Sequence, residues 1–200
     1  MVDTKKEQER DELHRAIWAI ADELRGAGDD NPILINDPHF SLVGVLAPKS
    51  KADIAFIMHS LAWFASNGTA AIVCFPGIMY RGGAEQKIRK YLIDNIFIDC
   101  IIQLPGNLFF GTSIATCIMV LKKGKADNKT LIIDASDECI KVTNNNKLTQ
   151  ENIEHIVSTF AERTEKEHFS HLASFEEIVA REQLLRDKIT KIIAEIEVGV

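Results

Sequence analysis

Cysteine, histidine, carboxylate and glycine positions are the first places to look for chemistry in this 200-residue chain. Cys74, Cys100, Cys117 and Cys139 are widely spaced, and the first three sit in the apolar, strand-like runs AAIVCF, FIDCII and IATCIMVL. Without a CxxC pair there is no zinc spacing, so the expectation is reduced thiols acting as small core residues. His168 and His171 are three apart and would share a helical face, but no carboxylate or thiol set completes a metal site, and solvated histidines are expected. Gly82-Gly83 precedes a helix as a phosphate cradle would. The Lys-Ser/Thr of such a loop does not follow, so the pair is read as a turn. Asp99, Asp134 and Asp137 show no partner in the sequence and receive no catalytic role.

The basic residues are more suggestive. The segment YRGGAEQKIRK concentrates Arg81, Lys87, Arg89 and Lys90 at a strand end and along the next helix, while Lys49 and Lys51 flank another helix start. These could neutralise DNA phosphates, or they could be a solvated face. A net charge of −6 argues against non-specific DNA binding by the whole surface and leaves room only for a local patch. With 46% hydrophobic and 26% charged residues the chain can bury a core of one ordinary domain. Its longest apolar stretch, Ile54 to Ala65, is broken by His59 and Ser60 and falls short of the ~20 residues that cross a bilayer. The charged start MVDTKKEQERDEL has no secretory core, so a cytoplasmic location is expected.

Apolar periodicity supplies the elements that must position these groups. Leu13, Ile17, Ile20 and Leu24 predict an N-terminal helix over 1–26, followed by a Gly/Asp/Asn/Pro-rich connector over 27–48. A capping box at Ser50 and Asp53 starts a helix carrying Ile54, Ile57, Met58, Leu61 and Phe64, which stops at Asn67-Gly68. The unbroken run Ala70 to Phe75 reads as a strand buried on both faces. A helix over Ala84 to Ile93 leads to a strand from Phe97 to Ile102, giving the alternation that builds a parallel sheet. Too short a connection follows for another crossover, so the strand Ile114 to Leu121 should run antiparallel to its predecessor. A fourth strand is expected at Thr130 to Ala135. After a polar loop around Asn144 to Asn146 two helices are expected, one from Thr149 and one from Ser174, the latter with Glu177 in a capping box and Leu185, Ile189, Ile192, Ile193 and Ile196 as a seam.

The stretch LAPKSKADIAFIMHSLAWFASNGTAAIVCFPGIMYRGGAEQKIRKYLIDNIFIDCIIQLPGNLFFGTSIATCIMVLKK, Leu46 to Lys123, resembles the modification subunits of type I restriction-modification systems almost continuously. The likeness extends from about Asp30 to Ala180, and both HRAIWAIADELRG and REQLLRDKITKIIAEIE resemble the terminal helices of the same subunits. It implies an α/β fold: the C-terminal half of a Rossmann-like class I methyltransferase sheet, with parallel strands ending in an antiparallel pair and flanking N- and C-terminal helices. The implied division is a partial methyltransferase domain over 49–140 and a helical segment over 141–200.

Members of that family transfer methyl from S-adenosylmethionine to adenine N6 in DNA. Two of the family's signatures have no counterpart here: a Gly-rich, donor-binding turn preceded by an acidic residue, and an Asn-Pro-Pro-aromatic loop that holds the adenine amino group. In this sequence Asn31-Pro32 is followed by Ile33-Leu34. The Asn-Tyr-Asn-Leu segment expected near the C-terminus is also missing. The resemblance therefore implies an internally truncated subunit, inactive alone, that docks on specificity or modification subunits and reaches DNA through the complex. One half of a split adenine-N6 methyltransferase, completed by another chain, is the alternative. By the same resemblance Phe109 in GNLFFGTS, with Phe110 beside it, packs against the flipped base; two core phenylalanines at a hairpin entrance are the other reading. In the full sheet, the strand matching Ala70–Phe75 is flanked by the strand leading into the lost loop. Its uncovered edge should be capped by Ile33–Ile35 folding back or by a homodimer.

Overall fold

The computed structural model describes residues 37, 39–48, 53–178, 180, 184 and 187–189. The expected N-terminal helix, the capping position Ser50, the segment Ile33–Ile35, Lys49, Lys51 and most of the C-terminal seam lie outside the described residues.

Helix α1 (Asp53–Trp63) leads to strand β1 (Thr69–Cys74), a 3-10 turn (Pro76–Met79), helix α2 (Ala84–Asp94) and strand β2 (Ile98–Gln103). Strands β3 (Cys117–Lys122) and β4 (Lys129–Asp134), a hairpin of β5 (Ile140–Val142) and β6 (Asn145–Lys147), helix α3 (Gln150–Glu162) and strand β7 (Ser170–Ser174) follow. The main sheet has the order β1-β3-β2-β4-β7. Strand β3 runs antiparallel to both β1 and β2, so those two are parallel to each other with β3 between them. Strand β4 continues the sheet parallel to β2, and β7 closes it antiparallel to β4.

Alternation along β3 divides the core in two. Cys117, Met119 and Leu121 face α1 and α2, where Ile54, Ile57, Met58, Leu61, Ile88 and Leu92 are buried. Val120 and Ile118 face the other way, joining Cys100, Ile102, Leu131, Ile133 and Ile156 of α3. Three layers result, with helices on both faces of the sheet. Helix α3 begins as the sequence predicts. Thr149 accepts from the Asn152 N–H at 3.2 Å, while the Asn152 side chain accepts from the Thr149 N–H at 2.9 Å. Ser174 and Glu177 form the second reciprocal box, the Ser174 N–H donating to Glu177 Oε2 at 2.7 Å and the Glu177 N–H to Ser174 Oγ at 3.2 Å.

Four expectations need correction. Strand β1 is buried on one face only: Cys74 lies in the core while Val73 is 53% exposed. The reason is positional, since among the described residues β1 ends the sheet and none of its side chains joins the core cluster on the α3 face. The polar loop at Asn144–Asn146 is instead part of the β5–β6 hairpin. A strand, β7, intervenes between the two expected helices and pairs along all of its length with β4. Asp99, which shows no partner in the sequence, is buried and accepts from Arg163 Nη1 at 3.1 Å, with Lys125 Nζ 4.0 Å away.

This last group joins distant parts of the chain. Arg163 is the left-handed cap of α3, with φ 52°, and Lys125 also donates to the Ile98 and Lys129 carbonyls at 2.8 and 2.7 Å. One carboxylate on β2 thus holds the end of α3 and the β3–β4 connection. Burial depresses the Lys125 ammonium from its ordinary value, and Asp99 pulls it back. Asp99→Ala should lower stability by about 3–5 kcal/mol, the usual cost of stranding a buried partner charge. Urea unfolding measures it, and an unchanged midpoint would show that solvent replaces the carboxylate.

A candidate functional site at the carboxyl end of the sheet

Because β1, β2 and β4 are parallel, their carboxyl ends lie at one end of the sheet, where open α/β sheets place their ligands. The pairings Cys74↔Cys117, Gln103↔Cys117 and Gln103↔Asp134 bring three connections together there: 75–83, 104–116 and 135–149.

The connection 104–116 carries the two phenylalanines. Its base is closed by the Leu104 N–H to the Thr116 carbonyl at 2.9 Å and the Asn107 N–H to the Ser113 carbonyl at 3.1 Å. Leu108 packs into the second core cluster, but Phe109 is 41% and Phe110 99% exposed. Two phenylalanines presented this way are not core residues at a hairpin entrance. Water meets aromatic surface here that folding could have covered.

The connection 75–83 is closed on itself. Arg81 Nη1 lies 3.1 Å from Glu85 Oε1 and 3.9 Å from Asp53 Oδ2, and the Glu85 side chain is 2% exposed. Arg89 Nη1 donates to the Ile78 carbonyl at 2.9 Å. Both guanidinium groups brace the strand-end turn from within. Lys87 and Lys90 face solvent, with Lys90 2.8 Å from Asp94. The basic segment is therefore two supporting arginines and two surface lysines, and not one patch.

Gly82 and Gly83 have open space where a Cβ would stand, and Gly83 precedes α2 with φ 69°. They form a turn, as read from the sequence. No acidic residue precedes the glycines, and the nearest guanidinium lies across Gly77 onto Glu85. Two recesses, of about 510 and 540 Å³, lie along β4 and β7, lined by Asp134, Glu165, Glu167 and Glu177 among others. No group of three or more His, Cys, Asp or Glu suited to a metal occurs among the described residues.

The cysteines behave as the sequence suggests at three positions: Cys74, Cys100 and Cys117 are buried, and only Cys139 is partly exposed. Burial pushes the Cys74 and Cys100 thiols up to about 12, which keeps them protonated and unreactive. His168 and His171 do not share a helix face. His168 takes φ 62° in a turn, and His171 pairs with Ile132 in β7.

Sequence reasoning missed the asparagines that hold the phenylalanine loop. Asn107 adopts φ 54°, and its Nδ2 donates to the Asn144 carbonyl at 2.7 Å. The Asn146 N–H donates to the Asn107 carbonyl at 2.8 Å, and Asn146 Nδ2 to the Gly106 carbonyl at 2.7 Å. The signal was present as Ile140 and Val142 alternating up to a Thr-Asn-Asn-Asn turn, a hairpin pattern. Behind the hairpin, Glu138 accepts from Asn152 Nδ2 at 2.7 Å and pairs with His155 Nδ1 at 2.9 Å, and His155 stacks on Phe169 at 4.1 Å.

Two outcomes follow from this geometry. A Cβ at Gly77 would stand 2.2 Å from Arg81 Nη2. Gly77→Ala should swing the guanidinium away and leave buried Glu85 unpaired, lowering the denaturation midpoint by the equivalent of about 3 kcal/mol; Ala tolerated without change would show that Glu85 finds another donor. The hydrogen bond from Asn152, above all, holds the Glu138 carboxyl below its ordinary 4.5. Its contribution to stability is complete above that value and is lost as pH falls through the lowered folded pKa. The acid limb of a thermal-melting series should flatten in Asn152→Ala; an identical limb would mean that Glu138 titrates alike folded and unfolded.

Comparison with known proteins agrees with this architecture. Residues 17–195 match the family model described as N-6 DNA Methylase. The methylase subunit of the type I restriction enzyme MpnII from Mycoplasma pneumoniae is 53% identical over 146 residues, covering 72% of this chain and 27% of that protein. The MjaVIII methylase subunit from Methanocaldococcus jannaschii is 33% identical over 157 residues, 75% of this chain and 27% of its own length. A crystal structure of a type I restriction-modification methyltransferase subunit from Streptococcus thermophilus superposes with a TM-score of 0.72 at 44% identity, covering 76% of this chain and 33% of that one. The chain thus spans about a quarter of the length of these curated relatives. With nearly all of its length inside the family model and a mixed sheet shared with a solved methyltransferase subunit, the chain belongs to the N-6 DNA methylase family.

Proposed function

We propose that this chain is a partial modification subunit of a type I restriction-modification system, acting in the cytoplasm, which transfers no methyl group alone and docks on the specificity or modification subunits of such a complex. The observation that carries the proposal is the composition of the strand ends. The sequence presents aromatics suited to an unstacked base, Phe109 and Phe110, without a donor-binding turn or an Asn-Pro-Pro-aromatic loop. Methylating a base in duplex DNA requires both halves, because the extruded amino group must meet a bound donor. Here Phe109 and Phe110 stack on the base, and Lys87 and Lys90, with Lys49 and Lys51, supply phosphate contacts; Arg81 and Arg89 support the turn between. S-adenosylmethionine is the donor of the complex and is not held by this chain.

The test is transfer of labelled methyl from S-adenosylmethionine to duplex DNA with the purified chain as sole protein, alongside donor binding by calorimetry. No label and no binding are expected. Label on adenine would overturn the proposal.

A second reading is favoured by one specific feature. Among the described residues β1 pairs only with β3, leaving the other strand edge open beside half-exposed Val73 and Phe75. Such an edge is a template for another strand. In this reading a second chain carrying the missing motifs completes the sheet and makes a split methyltransferase. Mixing the chain with such a partner should restore methylation and protect the β1 amides from exchange. A concentration series in the ultracentrifuge separates this from a homodimer, which would form without the partner.

A further inference from the structure

The hairpin β5–β6 has no core of its own. Its two strands are three residues each, Ile140 and Val142 are about half exposed, and an isolated ribbon of this size has little intrinsic stability. What it does make is a set of hydrogen bonds to one target, the entrance of the connection that carries Phe109 and Phe110. Asn146 gripping both Gly106 and Asn107, and Asn107 returning a bond to Asn144, form a closed clamp. The clamp acts where the loop backbone is least ordinary. Asn107 is held at φ 54°, a conformation asparagine tolerates better than most residues. On the far side, Leu108 is packed and the next two residues are presented to solvent. A turn fixed at 106–107 and anchored at 108 determines the direction in which Phe109 and Phe110 leave the surface.

We infer that Asn146 is a positioning residue: through its side-chain donor to Gly106 it sets the phenylalanine pair in the orientation that stacks on an unpaired purine. The inference rests on the base-stacking reading of Phe109 and Phe110. It adds a specific cause, since preorganising an aromatic platform removes the ordering cost of binding. Asn107 and the hairpin belong to the same device, and neither touches the base.

The experiment titrates the full chain against a short single-stranded oligonucleotide whose only purine is 2-aminopurine, following its fluorescence, with amide exchange of Leu108–Gly111 measured in parallel. The wild type should perturb the fluorophore, and Phe110→Ala should weaken binding on the order of tenfold, as loss of one base–aromatic stack does. Asn146→Ala should weaken it similarly, with the salt dependence unchanged and exchange at 108–111 accelerated. Asn146→Asp keeps the shape and, at neutral pH, removes the donor. It should bind like the alanine variant and show the same accelerated exchange at 108–111. A wild type that leaves the fluorophore unchanged overturns the base-stacking reading and the role of the clamp with it. Wild-type binding by Asn146→Ala, or by Asn146→Asp, overturns the clamp alone.

Discussion

The structure depends on where β3 lies. A strand hydrogen-bonded along both edges, with apolar side chains on both faces, is the costliest element to misplace, because a slip of one residue exchanges its two faces. Inserted antiparallel between β1 and β2, it contributes Cys117, Met119 and Leu121 to one core and Ile118 and Val120 to the other. That insertion makes the carboxyl ends of β1 and β2 neighbours of β3's start. The connections after them therefore meet at one end of the sheet. That convergence of connections is a consequence of this topology before any side chain is considered.

Polar interactions then fix what the sheet leaves free, and they do so with buried charges. Asp99 gathers Arg163 and Lys125, tying α3 and the β3–β4 connection to β2. Glu85 gathers Arg81 at the mouth of α2. In each case a carboxylate removed from water has an arginine at 3.1 Å, a distance at which the pairing offsets much of the desolvation. Such pairs specify a register that hydrophobic contact alone would leave loose. They also explain why a chain with many basic residues near a strand end does not present them as a single positive surface.

The two sheet edges contrast. Strand β7 is joined at its start by the Lys166–Ser170 bridge and runs on into a helical turn over 175–178. Strand β1 has a helix-packed core behind one face and, among the described residues, no second strand beside it and no helix over its other face. Strands β2 and β3 fill a two-sided core without a further strand beside β1 among the described residues.

The sequence by itself determined the local structure. The helix start at Thr149, the capping box at Ser174, the stripe from Ile54 to Leu61, and the apolar runs of β2, β3 and β4 were legible because caps and periodicity are short-range effects. The antiparallel sense of β3 was legible too, from a connection too short for a crossover. Burial of β1 was not, since an apolar run reads the same at an edge as at the centre, and only strand order separates the two. Strand β7 lacked a signal because Ser-His-Leu-Ala-Ser over Ser170–Ser174 shows no period-two alternation and becomes a strand only by pairing with β4. The partners of Asp99 lie 26 and 64 residues away, and the asparagine clamp joins residues about 40 apart. Contacts at such separations leave no spacing to read, so tertiary structure alone decided which carboxylates were supports and how Phe109 and Phe110 came to face water.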